Sequence, residues 1–182
     1  MQFIQTSIPD IWIIQPKVLG DSRGYFFESW REDEFKAHIG AVHFVQENES
    51  KSFKGVLRGL HYQRGEHAQA KLVRVVKGTV VDVAVDCRRS SSTFGEYVAV
   101  ELSGENHRQL FIPRGFAHGF IALSEEVIFT YKVDNYYNAA SEETILWNDS
   151  QLNIEWPSVD VPLVQARRDL EGRPFAEAAC FD

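Results

Sequence analysis

The sequence Val-Val-Asp-Val-Ala-Val-Asp at residues 80–86 decides the fold class. Its valines at 81, 83 and 85 alternate with Asp82, Ala84 and Asp86, and this period of two is typical of a β-strand that buries one face. We expect the aspartate pair, Asp82 and Asp86, to lie on an outer face of that strand.

A second alternating segment spans residues 127–133, where Phe129 and Tyr131 share the face that we expect to point inward. Turn signals at Gly78 and Gly115 separate such segments at the short spacing of an antiparallel sandwich or barrel. Thirteen Phe, six Tyr and four Trp also favour strands over helices. The sequence therefore predicts a mainly β fold, a jelly-roll β-barrel.

Helices are predicted only at the periphery of this fold. Ser-Trp-Arg-Glu at residues 29–32 fits a capping box, which would open a short helix that ends around Ile39-Gly40. From Trp156-Pro157 onwards the chain is irregular, with a few helical turns. The length of 182 residues and the lack of a linker rich in Pro, Gly or Ser indicate one domain over residues 1–182.

Composition narrows the class of partner. The net charge of −7 argues against nucleic acid, although a few well-placed Arg or Lys residues can still bind a small anion. No signal peptide is recognisable, and no apolar run approaches the ~18 residues that a membrane helix needs. Cys87 and Cys180 favour two free thiols in a reducing cytosol, with a bridge between them left open. We expect a soluble cytoplasmic protein.

Two segments share the spacing of the metal-binding motifs of cupins. Pro-Arg-Gly-Phe-Ala-His at residues 113–118 matches the later pattern, Pro-x-Gly-x-x-His. The earlier pattern is His-x-His, then a glutamate, then a glycine seven residues further on. His61 and Gln63 stand where His-x-His is expected, Lys71 replaces the glutamate, and Gly78 follows seven residues later. The predicted jelly roll is therefore cupin-like.

The replacements point to chemistry without a metal. Lys71 would put a positive charge where a metal ion carries one, and only His61 and His118 remain of the four expected ligands. A lysine aimed at a ketone oxygen stabilises an enolate by ~3–4 kcal/mol, and histidine is a suitable base at neutral pH. Tyr131 could return a proton from the opposite side, which inverts the carbon. These residues indicate an epimerase or isomerase.

Several segments resemble the dTDP-4-dehydrorhamnose 3,5-epimerase family, in the same order and over roughly the whole chain. They are residues 21–28, 55–63, 71–75, 88–95, 112–120, 131–132 and 136–137. In that family the substrate is dTDP-4-dehydro-6-deoxyglucose and the product is the precursor of dTDP-L-rhamnose. The resemblance implies inversion at C3 and C5, no cofactor, no metal and a homodimer.

The resemblance also implies roles for individual residues. His61 would remove the protons at C3 and C5, and Asp169 would orient and charge-balance His61. Lys71 would hold the enolate oxygen, and Tyr131 would be the proton donor. Tyr137 would stack on the thymine ring. Without the resemblance, Asp169 would be interpreted as a solvated residue, because it lies in an irregular part of the chain.

Further residues would line the substrate site with Lys71 and Tyr137. They are Arg23, Phe26, Glu28, Gln46, Asn48, Arg58, His118, Glu142 and Arg168. Arginines suit a diphosphate because the guanidinium fork matches phosphate oxygens. In the family, the segment that contains Arg23 and Glu28 reaches into the partner subunit's site, so activity would require dimerisation.

Two departures from the family bear on ligand fit rather than on chemistry. The usual lysine before the aspartate is Arg168 here, and the family's Gln-Asp-Asn-His is Gln-Glu-Asn-Glu at residues 46–49.

Alternatives remain open at this point. Relatives of the double epimerase invert only C3 or only C5, and no residue distinguishes the outcomes. A metal-dependent cupin enzyme and a catalytically silent sugar-binding module are the other two classes.

Overall fold

β-Strands make up most of the chain in the computed structural model, which describes residues 1–182. The strands are β1 (Gln2–Gln5), β2 (Trp12–Gln15), β3 (Leu19–Asp21), β4 (Gly24–Phe26), β5 (Gln46–Phe53), β6 (Leu57–Gln63), β7 (Lys71–Lys77), β8 (Thr79–Asp86), β9 (Tyr97–Ser103), β10 (Gln109–Ile112), β11 (Phe116–Ala122), β12 (Glu126–Val133) and β13 (Glu142–Thr144). The helices are α1 (Glu32–His38) and α2 (Arg167–Leu170), with single 3-10 turns at Gly65–His67, Ala139–Ser141 and Phe175–Glu177. The predicted mainly β fold with short peripheral helices is confirmed.

The strands form two larger antiparallel sheets and one small hairpin. The first sheet has the order β1-β2-β10-β7-β12-β5, and the second has the order β13-β6-β11-β8-β9. β3 and β4 pair only with each other. The larger sheets face one another as a jelly-roll-like sandwich, and the predicted cupin-like fold is confirmed in this form.

The space between the two sheets is apolar at one end and polar at the other. Val73 and Phe129 of the first sheet pack in one cluster with Ala84 and Phe120 of the second. The rings of Phe120 and Phe129 stack with their centroids 4.5 Å apart. Beyond these rings the space widens into a polar cavity, and the apolar cluster forms its floor.

The predicted outer position of Asp82 and Asp86 is wrong, because both residues are fully buried. The valine face of β8 is covered by the C-terminal part of the chain: Val83 and Val85 pack with Phe175. This cover leaves the other face of β8 directed between the sheets. Alternation reveals that a strand has two kinds of face but not which of them meets the second sheet.

Helix α1 ends as predicted but begins later. Its first residue is Glu32, and its N-cap, Arg31, makes no side-chain capping bond. The predicted capping box at Ser29 is wrong, since the Ser29 carbonyl instead accepts a 2.8 Å hydrogen bond from Gln109 Nε2. The buried ring of Phe35 anchors the helix.

Helices are too short and too polar to cross a bilayer: the longer one, α1, has seven residues. Cys87 and Cys180 are both free thiols, of which Cys87 is buried.

Strands β6 and β11 approach each other closely beside the cavity. A Cβ on Gly119 would lie 2.6 Å from the Arg58 carbonyl oxygen and 3.0 Å from Gly59 Cα. The pairing register shifts at this point, between His118 and Phe120. Only hydrogen at position 119 permits this approach.

We expect Gly119→Ala to lower the free energy of unfolding by about 1–3 kcal/mol, because the added methyl group meets backbone atoms that cannot turn away. Urea unfolding measures the change. Gly20→Ala is the control, since a Cβ there meets nothing closer than the Gly24 oxygen at 3.7 Å. Equal free energies of unfolding for Gly119→Ala and Gly20→Ala would show that β6 and β11 can move apart without loss of stability.

Candidate active site

The polar end of the sandwich holds a cavity of about 300 Å³ between the two sheets. His61 on β6 and His118 on β11 line the wall that the second sheet provides. Lys71 on β7 and Tyr131 on β12 line the opposite wall, on the first sheet. The cavity therefore has a histidine-bearing wall that faces a wall with a cation and a phenol.

His61 is held by a carboxylate from the far end of the chain. Its Nε2 lies 2.5 Å from Asp169 Oδ1 on α2, and Asp169 Oδ2 accepts a bond of 3.2 Å from the Ala166 amide. Burial by itself raises the pKa of Asp169, but the hydrogen bond and charge of His61 outweigh it, so the pKa lies below its usual value. An ionised Asp169 accepts from the Nε2–H of His61, which leaves Nδ1 as the nitrogen that can take a proton.

Lys71 is buried and has one hydrogen bond within the chain, from Nζ to the His61 carbonyl oxygen at 3.3 Å. Burial lowers its pKa to about 8, against the opposing effect of Asp82 and Glu142. The ammonium thus predominates at neutral pH. Two of its three N–H donors remain available to a ligand in the cavity.

Asp82 lies under His118 between the sheets. His118 Nε2 lies 2.9 Å from Asp82 Oδ2 and 3.1 Å from Oδ1. Burial lowers the pKa of His118 and raises that of Asp82, while each partner's charge opposes the shift of the other. His118 is therefore a neutral imidazole at pH 7 that donates from Nε2 and can accept from a ligand at Nδ1.

Tyr131 points inward, as the alternation of residues 127–133 predicts, and packs against the apolar cluster. Burial raises the pKa of its phenol, which the nearby Arg168 and Arg58 partly counteract. Asn48 lies opposite Tyr131 on β5. The phenol is protonated at neutral pH and can act as an acid.

The mouth of the cavity carries a charged and aromatic group. Arg168 Nη1 contacts both Glu142 oxygens, at 3.1 and 3.2 Å, and the Tyr137 hydroxyl donates to Glu142 Oε2 at 3.0 Å. Arg58 lies deeper, with its Nε on Ser52 Oγ at 3.1 Å. Gln46 lies beside this group, and its Oε1 accepts a 3.3 Å bond from the Tyr137 amide.

Three of the predicted site residues lie away from the cavity of their own chain. Arg23 forms an ion pair with Asp21 on the β3–β4 hairpin, and its side chain is 88% exposed. Phe26 is exposed on the same hairpin. Glu28 pairs with Arg31 at 3.8 Å.

Sequence reasoning missed the burial of Asp82 and the structural role of Gln63, both of which are buried polar residues at the site. The available signal for Asp82 was an acidic residue whose neighbours in the strand, at positions 80, 81, 83, 84 and 85, are all apolar, which favours burial on both faces. For Gln63 the signal was its place in the His-x-His motif, which points to the cavity.

The family model for dTDP-4-dehydrorhamnose 3,5-epimerase matches residues 5–177. The chain belongs to this epimerase family. It is 58% identical over 168 residues to the dTDP-4-dehydrorhamnose 3,5-epimerase of Salmonella typhimurium, with 92% of each chain covered. Family members are isomerases, so the predicted enzyme class is confirmed.

Two solved structures of the family add detail. A dTDP-6-deoxy-D-glucose-3,5-epimerase of Legionella pneumophila, in complex with dTDP-4-keto-L-rhamnose, is 46% identical and aligns with a TM-score of 0.93 over 97% of this chain and 93% of its own. A 3'-monoepimerase of Streptomyces bikiniensis, in complex with dTDP-quinovose, is 30% identical and aligns with a TM-score of 0.88 over 95% and 87%. One fold thus carries both double and single epimerases.

Metal ligands are not grouped in this epimerase: no three His, Cys, Asp or Glu side chains come together as an ion site. The side chain at the position of the cupin glutamate is the Lys71 ammonium, which is not a ligand when protonated. A metal-free reaction stays a prediction, which metal analysis of protein purified without chelator tests.

We expect Asp82→Asn to lower the pKa of Lys71 further below about 8, because the Asp82 charge is what favours the ammonium. An NMR titration of ¹⁵N-labelled lysine side chains measures the shift. Asp86→Asn is the control on the same strand, since the Asp86 carboxylate binds Arg88 instead. An unchanged Lys71 pKa in Asp82→Asn would contradict the coupling.

Proposed function

We propose that this chain inverts C3 and C5 of dTDP-4-dehydro-6-deoxy-D-glucose to give dTDP-4-dehydro-L-rhamnose, in dTDP-L-rhamnose biosynthesis. The observation that carries the proposal is the placement of His61 and Tyr131 on opposite walls of one cavity, with Lys71 buried beside them. Membership of the family indicates that the substrate is a dTDP-sugar.

His61 is the base. Its Nδ1 takes the proton from the carbon next to the C4 ketone, and the C–H electron pair moves into the ring as an enolate. Asp169, bonded at Nε2, stabilises the imidazolium that forms. General bases of this kind typically contribute about 10²–10⁴-fold in rate.

Lys71 stabilises the enolate. As the electron pair moves, negative charge develops on the C4 oxygen, and an ammonium in a buried site interacts with that charge more strongly than it would in water. Lys71 is held by the His61 carbonyl oxygen, so the cation and the base keep a fixed relation. The ketone re-forms when the carbon regains a proton.

Tyr131 returns that proton. Its phenol lies on the wall opposite His61, so the proton arrives on the other face of the carbon and the configuration inverts. The tyrosinate and the imidazolium then exchange protons with solvent, which resets both groups. The same pair serves C3 and C5 in turn, because both carbons flank the C4 ketone.

Residues at the cavity mouth bind the nucleotide. Arg58 and Arg168 are positioned for the diphosphate, whose oxygens match the guanidinium fork. Tyr137 stacks on the thymine. The remaining predicted binding residues, Gln46, Asn48, His118 and Glu142, complete the sugar and base contacts.

The enzyme works as a homodimer in which the β3–β4 hairpin reaches the partner's cavity. This arrangement gives a role to Arg23, Phe26 and Glu28, which do not line the active-site cavity of their own chain. The exposed rings of Tyr25 and Phe26, 62% and 66% exposed, supply apolar surface for the contact. A cytoplasmic location accords with two free cysteines.

Incubation with dTDP-4-dehydro-6-deoxyglucose in heavy water tests the function, with deuterium followed at each sugar carbon by NMR. We expect label at both C3 and C5. His61→Ala should reduce exchange at both carbons by about 10²–10⁴-fold while dTDP still binds. Tyr131→Phe should slow completed inversion more than exchange, because only the returning acid is lost.

Label at one carbon alone would indicate a mono-epimerase like that of Streptomyces bikiniensis. Label at neither carbon would favour a binding module, and activity that requires a bound metal would favour a metal-dependent cupin. Normal exchange in His61→Ala would remove His61 from the mechanism.

Complementation tests the dimer. Arg23→Ala and His61→Ala homodimers should each be inactive, but co-expressed chains should recover roughly a quarter of wild-type activity, because half of the dimers then contain one intact shared site. Co-expressed His61→Ala and Tyr131→Phe chains are the control, since both residues belong to the same chain's cavity and no intact site can form. Absence of recovery in the first pair would contradict a shared site.

A further inference from the structure

Side-chain amides fasten the loop at residues 134–138, which follows β12 and carries Tyr137. We call this set the amide clasp: Gln63, Gln69, Asn135 and Asn138. It joins the loop to residues 63–69, which comprise the last residue of β6 and most of the connection to β7. Apart from Gln63, which ends β6 and pairs with Glu142, these residues lie outside the strands, so side chains take the place of sheet hydrogen bonds.

Gln63 is the buried centre of the clasp, with 4% of its surface exposed. Its Oε1 accepts from the Asn138 amide at 2.6 Å, and its Nε2 donates to the carbonyl oxygens of His67 at 2.8 Å and Tyr136 at 3.4 Å. Its two loop contacts thus lie immediately before and after Tyr137. One buried side chain fixes the backbone on both sides of that tyrosine.

The other members reinforce the same joint. Gln69 Nε2 donates to the Asn135 carbonyl oxygen at 2.8 Å, and Asn135 Nδ2 donates to the Glu66 carbonyl oxygen at 2.7 Å. Asn138 Nδ2 lies 3.1 Å from His67 Nε2. The clasp therefore connects the loop at both of its ends.

The Tyr137 ring has little support of its own. The residue is 52% exposed, and its polar contacts are the hydroxyl bond to Glu142 and the amide bond to Gln46. An exposed ring that no core holds keeps its orientation only if its backbone is fixed. If the backbone were not fixed, binding would have to order the ring, and this cost would weaken the affinity for a stacked base.

We propose that Gln63 is a positioning residue for nucleotide binding, which acts through Tyr137 and touches no reacting atom. The inference rests on the proposed function, in which Tyr137 stacks on thymine. A glutamine suits the position because it offers an acceptor to the Asn138 amide and donors to two carbonyl oxygens. Leucine offers neither, and glutamate would set a carboxylate against the carbonyl oxygens.

Calorimetric titration with dTDP tests the proposal in a double-mutant cycle of Gln63→Leu and Tyr137→Ala. We expect Gln63→Leu to weaken dTDP binding about tenfold. In the Tyr137→Ala background the same substitution should weaken binding less than about twofold, because its route to the base is gone. Gln15→Leu is the control: it removes an amide bonded to the Asn106 carbonyl oxygen, away from the cavity, and should leave the affinity unchanged.

Steady-state kinetics gives a second readout. For Gln63→Leu, KM should rise about tenfold while kcat stays within about threefold, because the groups that move protons are untouched. Asn138→Ala leaves Gln63 in place but removes the contact between the Asn138 side chain and His67. This variant should show the same rise in KM with little change in kcat, and it replaces Gln63→Leu in the test if that variant does not fold.

Two outcomes would overturn the proposal. In the first, Gln63→Leu weakens dTDP binding as much in the Tyr137→Ala background as in the wild-type protein. In the second, Gln63→Leu lowers kcat and leaves KM unchanged. Wild-type protein that binds no dTDP would instead refute the proposed function, so the two failures are distinguishable.

Discussion

The hydrogen bond between His61 and Asp169 joins residues 108 positions apart and sets the arrangement of the whole site. For Asp169 to reach His61, the C-terminal part of the chain must lie across the second sheet. It does so through isolated bridges that pair Val56 with Val164 and Ile145 with Arg173. The same cover buries the valine face of β8, which directs Asp82 between the sheets and under His118. The position of the C-terminal part of the chain thus brings Asp169 to His61 and Asp82 to His118.

Charge inside the sandwich is the second constraint. Lys71 and Asp82 are both buried, and burial disfavours the charged form of each. Buried charges weaken a fold unless partners compensate for lost water, and here the partners are the His61 carbonyl oxygen and His118. The arrangement places a polar group where an apolar core would be more stable, which is typical of sites that stabilise developing charge.

The sequence predicts the architecture and the inward face of β12 well, because periodicity reports local geometry directly. Motif spacing identifies His61, Lys71 and His118, because the match to the cupin patterns assigns all three to the interior of the barrel, although β6 and β7 lie in different sheets. Asp169 is different, since no local pattern reveals which distant strand an irregular segment will cover. The error at Asp82 has the same origin, as does the capping error at Ser29, whose carbonyl is held by a residue 80 positions away. Local sequence patterns predict where strands form, but they do not predict which distant segment of the chain covers each strand.

The two walls of the cavity belong to separate hydrogen-bonded ladders. No ladder bond therefore fixes the gap between His61 and Tyr131, and packing between the sheets sets it, including the stacked rings of Phe120 and Phe129 at the floor. Lys71 belongs to a strand of the tyrosine wall, and its ammonium donates to the backbone of the histidine wall. The Lys71 side chain therefore bridges the two walls and keeps the cation beside the base.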